Sequence, residues 1–315
     1  MSVSDARLPA PRPAADDDEL LLAFGITPVL ARRQNRLAAW AAPFNIISVI
    51  TGVVGTLSLG LSVGPGPMFW GWVLVSGCTL VVGVVMAELA SAMPTAAALY
   101  HWTQQLAPQR RAARLSSRVG WLNFLGLLGG VSSVAYGGAV SLQALLALQW
   151  GYTPTPGRTF AITGGLLVLY GLVNTLDIGR VAAVNKASIA WLIAGTALIV
   201  AVLAVLPKHH QSARFVLTHI ANETGFHATW YALAIVLACG SYVYCGYDLA
   251  AHLSEETRQA ARTVPIAILR SIWVSAITGV LLIGALLFAI QDYNGELGSA
   301  TGSPAAQIFL DALDR

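Results

Sequence analysis

The segment Tyr244-Cys245-Gly246-Tyr247-Asp248 places a carboxylate beside a glycine inside a long apolar run. A charged Asp at the centre of a membrane helix costs roughly 2.5–3.5 kcal/mol on insertion scales, so such residues usually face a cavity, a partner or a transport path. Helix-breaking backbone at membrane depth is tolerated only where protein or water covers it. The combination predicts a substrate or ion site near the middle of the membrane.

A second interrupted run supports this prediction. The first apolar run contains Pro43 and then a glycine-rich stretch, 51–56, while the sixth contains Gly240 and Gly246 before Asp248. A single glycine is common in membrane helices because it allows close packing. Two interrupted segments at corresponding positions of two halves, however, are typical of the binding site of a transporter.

The composition indicates a membrane protein. Hydrophobic residues make up 56% of the chain and charged residues 10%, and the mean hydropathy is +0.67. A soluble domain carries about 25% charged residues. The net charge of +3 forms no stripe suited to nucleic acid. Cys78, Cys239 and Cys245 lie inside apolar runs without metal-binding spacing, and the loop histidines match no strong zinc pattern, so no metal site is predicted.

The apolar runs predict seven full membrane spans in one domain, residues 37–315, since about 20 residues cross the hydrocarbon layer. They are Trp40–Leu61, Met68–Met93, Val119–Leu148, Phe160–Leu176, Val181–Leu206, Thr229–Ala251 and Ala267–Ile290, with Ser303–Leu313 as the start of an eighth. Residues 1–36 form a tail whose first 20 residues are expected to be disordered. The stretches Leu20–Gly25 and Leu30–Arg36 are compatible with a short interfacial helix.

Basic residues predict the orientation, because cytoplasmic loops are enriched in Lys and Arg. With the N-terminus in the cytoplasm, twelve fall on the inner side: Arg32, Arg33, Arg36, Arg110, Arg111, Arg114, Arg118, Arg180, Lys186, Arg258, Arg262 and Arg270. Three fall on the outer side: Arg158, Lys208 and Arg214. We therefore expect a multi-pass protein of the cell membrane with a cytoplasmic N-terminus.

Several stretches, in order, resemble one family. They are Phe44 to Gly52 (FNIISVITG), Met86 to Leu89 (MAEL) with Ser91 to Thr95 (SAMPT), Gly120 to Asn123 (GWLN), Gly246 to Asp248 (GYD) with His252 to Thr257 (HLSEET), and Ala306 to Asp311 (AQIFLD). Together they resemble the amino acid–polyamine–organocation permease superfamily, and within it the amino acid/choline transporter branch, which includes GABA permease-like proteins.

The resemblance implies an all-α membrane bundle with the LeuT-like fold of two inverted five-helix repeats. The first repeat would cover spans one to five, about residues 37–206, and a partial second repeat about 229–315. Members usually have 12 spans, so the chain is expected to be truncated or split. Where members usually carry a glycine pair, this chain has Ala96-Ala97-Ala98, which predicts a stiffer turn.

The resemblance also implies a site. In similar permeases the turn of span one binds the carboxylate of an amino acid, here through the amides of Thr51 to Gly55, and carbonyls between Gly240 and Cys245 would receive the ammonium group. Tyr242 lies where related exchangers have a gating aromatic residue, although it also suits ordinary packing, and Tyr136 is placed to face the cavity. The candidate substrate-binding residues are Thr51, Gly52, Val53, Val54, Gly55, Tyr136, Gly240, Tyr242 and Cys245.

Asp248 has two interpretations. It matches an acidic residue that some relatives are thought to use in proton coupling, and it could equally cap or pin the second half of the broken helix. None of this chemistry is covalent, so no enzyme activity and no cofactor are expected. The predicted function is secondary transport of an amino acid, GABA, choline or a similar small amine, driven by H⁺ or Na⁺ or by exchange. The alternative is an inactive fragment or partner subunit of such a permease.

Overall fold

The computed structural model describes residues 17–176, 178–299 and 302–313 of the chain. Within these ranges the chain forms fourteen α-helices and one short 3-10 turn, Ser254–Glu256, and the single β feature is a parallel bridge between Gln34 and Thr257. The predicted all-α membrane bundle is confirmed. Residues 1–16 of the tail that we expected to be disordered lie outside the described residues.

The helices follow one another in chain order. They are α1 Asp17–Ala23, α2 Arg36–Ile47, α3 Val49–Leu61, α4 Pro65–Ala92, α5 Ala98–Leu106, α6 Gln109–Trp150, α7 Pro156–Asn174, α8 Ile178–Val205, α9 Ala213–Thr218, α10 Thr229–Val243, α11 Leu249–His252, α12 Ala260–Ala289, α13 Tyr293–Leu297 and α14 Pro304–Ala312.

Among the described residues, six helical segments are long and apolar enough to cross a membrane. They are Arg36–Leu61 (α2 with α3), α4, α6, α7, Ala183–Val205 within α8, and α12. Helix α10 has only 15 residues, roughly 22 Å, which is shorter than the hydrocarbon layer of about 30 Å. The predicted sixth span is therefore only partly helical, and its remainder forms a turn and α11.

Helix α12 lies at the centre of the bundle and packs mainly against α4 and α2. Trp72 of α4 donates its indole N–H to the Ala276 carbonyl of α12 at 3.1 Å. Helix α10 reaches α4 through a small residue, since a Cβ added to Gly240 would lie 3.2 Å from Val75. Such close backbone approach is the usual means of helix association in a membrane, where no water drives apolar surfaces together.

The loops gather at two ends of the bundle. At one end, residues 17–35 contact the segment 252–261, and that segment also contacts the turn after α4. At the opposite end, the Ala221 amide bonds the Val63 carbonyl, the Tyr293 hydroxyl donates to the Leu61 carbonyl, and the Gln211 amide bonds the Phe288 carbonyl. Each long helix therefore connects one end of the bundle to the other.

Glu296 of α13 is a buried carboxyl group at that opposite end. It is 1% exposed, and its Oε1 accepts the amide N–H groups of Gln291 at 2.7 Å and Asp292 at 3.4 Å. Its Oε2 has no hydrogen-bond partner among the described residues. Burial raises the pKa of Glu296 to about 7, and the nearby charges of Asp311 and Asp292 act in the same direction.

This shift predicts a pH dependence of stability. Because the pKa of Glu296 is higher in the folded protein than its ordinary value of about 4.3, folding is favoured by its bound proton. That stabilisation is complete below about pH 4.3 and is lost as the pH rises to about 7. In the full-length protein, Glu296→Gln should reduce the fall in melting temperature between about pH 5 and about pH 7. An exposed carboxylate at the same end of the bundle provides the control, Glu223→Gln, and an equal fall in all three proteins would contradict the assignment.

Candidate functional site

The first span is interrupted at Ser48. This residue has φ 35° and ψ 68° and separates α2 from α3. Pro43, one turn earlier, lacks an amide N–H and so removes a hydrogen bond from α2. The Thr51 hydroxyl donates to the Ser48 hydroxyl at 2.7 Å, and the Asn45 side chain donates to the Asn185 carbonyl of α8 at 2.7 Å. These bonds hold both sides of the break.

The break lies earlier than the sequence predicted. We expected it within Thr51 to Gly55, but all five residues, including Val53 and Val54, belong to regular helix α3. The glycine at 52 serves packing instead: a Cβ there would lie 2.7 Å from Val243 of α10. The expected break position was therefore wrong, because a glycine that makes room for a neighbouring helix has the same sequence signature as a glycine that ends one.

The displaced break changes which amides are free. In α3, the first amide N–H group with a hydrogen-bond acceptor is that of Gly52, which donates to the Ser48 carbonyl at 3.0 Å. The amide N–H groups of Val49, Ile50 and Thr51 precede it in the first turn and have no partner within the helix. Of the predicted carboxylate-binding amides, only that of Thr51 is among these free donors. The positive end of the α3 dipole lies at the same place.

The sixth span is interrupted between Val243 and Leu249, as predicted. Gly246 has φ 89°, a conformation that residues with a side chain rarely adopt. An added Cβ at Gly246 would also collide with Ile46, two residues before the break in the first span. The two interruptions therefore face one another, and the contact between Gly52 and Val243 continues the same interface.

Within this turn some carbonyl groups are used and others are free. The Gly240 carbonyl accepts the Tyr244 amide at 3.3 Å and the Tyr242 carbonyl accepts the Cys245 amide at 3.1 Å. In the described part of the chain, no amide bonds the carbonyls of Val243 or Cys245. Of the carbonyl groups predicted to bind the ammonium group, that of Gly240 is therefore excluded, because it accepts a helix hydrogen bond. Gly240 itself packs against Val75.

The tyrosines near the turn have different environments. The Tyr242 hydroxyl lies 2.9 Å from the Ser133 hydroxyl of α6, and its ring is 37% exposed. Tyr136, three residues after Ser133, lies on the same side of α6 and is exposed. Tyr244, which was not among the candidate site residues, is buried, with its hydroxyl 2.8 Å from that of Ser76. The structure therefore joins Tyr242 to the side of α6 that also carries Tyr136, and it uses Tyr244 for packing.

Asp248 precedes α11 and pairs with the last residue of that helix. Its carboxylate lies 3.6 Å from His252 Nε2, and its side chain is 18% exposed. Although Asp248 occupies the position that would cap α11, its side chain accepts no capping hydrogen bond. Of the two structural roles considered for this carboxylate, capping is therefore contradicted, while pinning through His252 agrees with the geometry.

His252 connects Asp248 to the turn after α4. His252 Nδ1 donates to the Ala96 carbonyl at 3.1 Å, and Glu255 accepts the Ala96 amide at 2.9 Å. The carboxylate of Asp248 holds the pKa of His252 above its ordinary value, against the opposing effect of burial. A protonated His252 would satisfy both the carbonyl and the carboxylate. This contact therefore strengthens as the pH falls.

The N-terminal strap, residues 17–35, binds the segment 254–261, which follows His252 in the chain. Arg32 donates to Asp18 at 2.8 and 3.1 Å and to the carbonyls of Ser254 at 3.2 Å and Thr257 at 3.0 Å. Asp17 accepts the first amides of α12, those of Ala260 at 2.7 Å and Ala261 at 3.2 Å. A carboxylate at a helix N-terminus satisfies free donors and complements the dipole.

Gln34 adds backbone pairing to the strap. Its amide bonds the Glu256 carbonyl at 2.9 Å and its carbonyl accepts the Arg258 amide at 3.0 Å. Helix α1, in the region where an interfacial helix was considered, buries Leu21 completely within the protein. The sequence did not reveal the strap, because its partners lie more than 200 residues away and Arg32 resembled an ordinary loop anchor.

Comparison with known proteins identifies the family. A family model described as amino acid permease matches residues 37–315. The rice (Oryza sativa subsp. japonica) amino-acid permease BAT1 homolog is 32% identical over 302 residues, covering 92% of this chain and 58% of the relative. The GABA-specific permease of Saccharomyces cerevisiae is 30% identical over 312 residues, covering 96% of this chain and 54% of the relative.

The amino-acid permease BAT1 of Arabidopsis thaliana is 29% identical over 314 residues, covering 96% of this chain and 61% of the relative. The chain thus spans 54–61% of the length of these three curated relatives. The match over residues 37–315 includes both interrupted helices and the Asp248 turn. The chain belongs to the amino acid permease family, a family of transporters and not of enzymes.

Proposed function

We propose that this protein is a secondary active transporter of amino acids or related small amines, with GABA as the reference substrate. The observation that carries the proposal is the meeting of two interrupted helices, with free amides at one break and free carbonyls at the other. In transporters, discontinuous helices at corresponding positions of two repeats bind the substrate. A LeuT-like pair of inverted repeats, with the first over about residues 37–206, is part of this proposal.

The two breaks offer opposite polarity to a zwitterion. The amides of Val49, Ile50 and Thr51, at the positive end of α3, suit a substrate carboxylate. The carbonyls of Val243 and Cys245 suit an ammonium group, and Tyr242 would cover the bound molecule. Among the relatives, one is named a GABA-specific permease, and GABA carries a carboxylate and an ammonium group separated by a short carbon chain.

Transport would occur across the cell membrane with the N-terminal strap in the cytoplasm. The distribution of basic residues supports that orientation. The contacts of the strap, His252 and Glu255 would then close the inner side of the pathway. Asp248 is our candidate for the proton-coupling group, because it lies between the substrate turn and this inner contact. The alternative is that the protein exchanges one substrate molecule for another without net proton movement. Opening and closing of the same inner contact would serve this mode as well.

Uptake by the full-length protein in proteoliposomes tests the proposal. Labelled GABA and a set of α-amino acids should accumulate in protein-containing vesicles under an inward proton gradient, and excess unlabelled substrate should compete. Vesicles without protein provide the background. Failure of every zwitterion to accumulate or exchange, in protein that is folded, would contradict the proposed function.

Two substrate analogues test the assignment of the breaks. Choline carries a cationic group without a carboxylate, and butyrate carries a carboxylate without an ammonium group. If the α3 amides bind a carboxylate and the span-six carbonyls bind an ammonium, GABA should compete for uptake better than either analogue. Choline competing as well as GABA would show that the α3 amides do not select a carboxylate.

A further inference from the structure

A row of arginines occupies the exposed beginning of α6. This helix has 42 residues and is roughly 63 Å long, twice the thickness of the hydrocarbon layer, so part of it extends beyond that layer. Arg110, Arg111, Arg114 and Arg118 are all exposed. Within the described ranges no acidic side chain forms a salt bridge with any of the four. Their charge is therefore available to a ligand.

The arginine row continues into aromatic side chains on the same face of α6. Arg110, Arg114, Ser117 and Trp121 follow one another at helical spacings of three or four residues, which places them on one side of the helix. Trp121 is 65% exposed. Cationic and aromatic groups thus form one continuous strip, with the cations at the end of the helix and the aromatic groups one to two turns deeper.

A groove between α5 and α6 lies beside this strip. Its volume is about 430 Å³, and its lining residues are Tyr100, Ser116, Ser117, Gly120, Trp121 and Phe124. Gly120 lies on the floor of the groove opposite Tyr100, where an added Cβ would make an ordinary van der Waals contact at 3.9 Å with the Tyr100 side chain. The Ser116 hydroxyl donates to the Tyr100 carbonyl, so the hydroxyl groups of Ser117 and Tyr100 are the ones in the lining without such a partner among the described residues. The groove is apolar at its deeper end and polar beside the arginines.

We propose that this groove and the arginine row form a binding site for one anionic phospholipid. Arg114 and Arg118 would bind the phosphate, since guanidinium groups pair well with phosphate oxygens. The glycerol region would lie beside Ser117, and the first part of an acyl chain along Trp121 and Phe124. Tryptophan is enriched at the membrane–water interface, where its ring meets both environments. The proposal requires a membrane protein and does not depend on the transported substrate.

The combination favours a lipid over a soluble anion or an acidic peptide. Inorganic phosphate would use the arginines but leave the aromatic groove empty. An acidic peptide would complement the charge of the arginines. It would not explain the apolar groove beside Trp121, which has the width of an acyl chain. A phospholipid fits both parts of the site in their order along α6: its headgroup would lie at the arginines and its acyl chain at the aromatic groove.

Tryptophan quenching in the full-length protein tests the site. The protein is placed in phosphatidylcholine vesicles to which phosphatidylglycerol with brominated acyl chains is added. We expect quenching of tryptophan fluorescence that saturates with the anionic lipid, and a Trp121→Leu variant should lose that saturable part. Brominated phosphatidylcholine should quench without saturation. Equal quenching by both lipids, or no contribution from Trp121, would overturn the proposal.

The arginines are tested with a charge-matched control. The double variant Arg114→Gln with Arg118→Gln should need roughly tenfold more anionic lipid for half-maximal quenching, since each basic residue near a membrane surface contributes measurably to anionic lipid binding. The control, Arg158→Gln with Arg214→Gln, removes the same charge from the opposite end of the bundle. Equal weakening in both would indicate general surface charge, and displacement of the lipid by millimolar inorganic phosphate would indicate a soluble-anion site. Either result contradicts the lipid assignment.

Discussion

Replacing Asp248 with Asn should reduce proton-driven uptake to the level of empty vesicles while leaving substrate exchange within roughly threefold of the wild type. Asn has nearly the same volume as Asp, so packing around the turn is largely kept. It cannot bind and release a proton, however, and it removes the charge that faces His252 at 3.6 Å. Uptake against a concentration gradient and equilibrium exchange are measured in the same proteoliposomes.

Glu255→Gln provides the control for Asp248→Asn. Glu255 belongs to the same inner contact and accepts the Ala96 amide through Oε1, an interaction that the Gln oxygen retains. This variant should keep both activities. If Asp248→Asn lowers uptake and exchange equally, the carboxylate is structural, which would remove proton coupling through Asp248 without removing the substrate site at the two breaks.

Replacing Arg32 with Ala should release the segment 254–261 from the N-terminal strap. The change removes the donors for two backbone carbonyls and the two N–H groups that donate to Asp18 Oδ1. Truncating a charged group in a partly buried network costs roughly 1.5–3 kcal/mol per hydrogen bond to a charged group. Hydrogen exchange at the amides of Thr257, Ala260 and Ala261 should therefore accelerate by at least about tenfold.

Arg33→Ala is the matched control for Arg32. Arg33 is the next residue, is exposed, and carries the same charge, so its loss should leave these amides unchanged. Exchange is followed by mass spectrometry on the full-length protein in detergent and in nanodiscs. Similar exchange in the Arg32 and Arg33 variants would show that the strap does not hold the segment. In the proposed transport cycle, a loosened strap should also raise the fraction of molecules open to the cytoplasm.

The sequence was sufficient for the features that depend on local pattern. The length of the apolar runs predicted seven full spans, and six of them are long apolar helices in the described ranges. Gly246, close to Asp248, predicted the interruption of the sixth span, where φ is positive. The first interruption was misplaced by several residues. Ser48 has no intrinsic preference that marks it as a break, and only its neighbours Thr51 and Asn45 show how the turn is held.

Contacts between distant segments could not be predicted in the same way. Val243 determines that Gly52 is a packing glycine, and Ile46 leaves no room for a side chain at Gly246. Asp17 appeared to belong to a disordered acidic tail, yet it is 7% exposed and bound to α12. A single sequence gives the polarity of each residue but does not indicate which of many segments will supply its partner.

The strap also sets an order of biosynthesis. Arg32 and Ser254 are separated by 222 residues, and a ribosome adds about 5–20 residues each second. Asp17 and Arg32 therefore lack their partners in the segment 254–261 for roughly 10–50 seconds after they are synthesised. A nascent chain stalled before residue 254 therefore already contains its first five predicted spans but not the segment that Asp17 and Arg32 bind, so its N-terminal strap stays unbound.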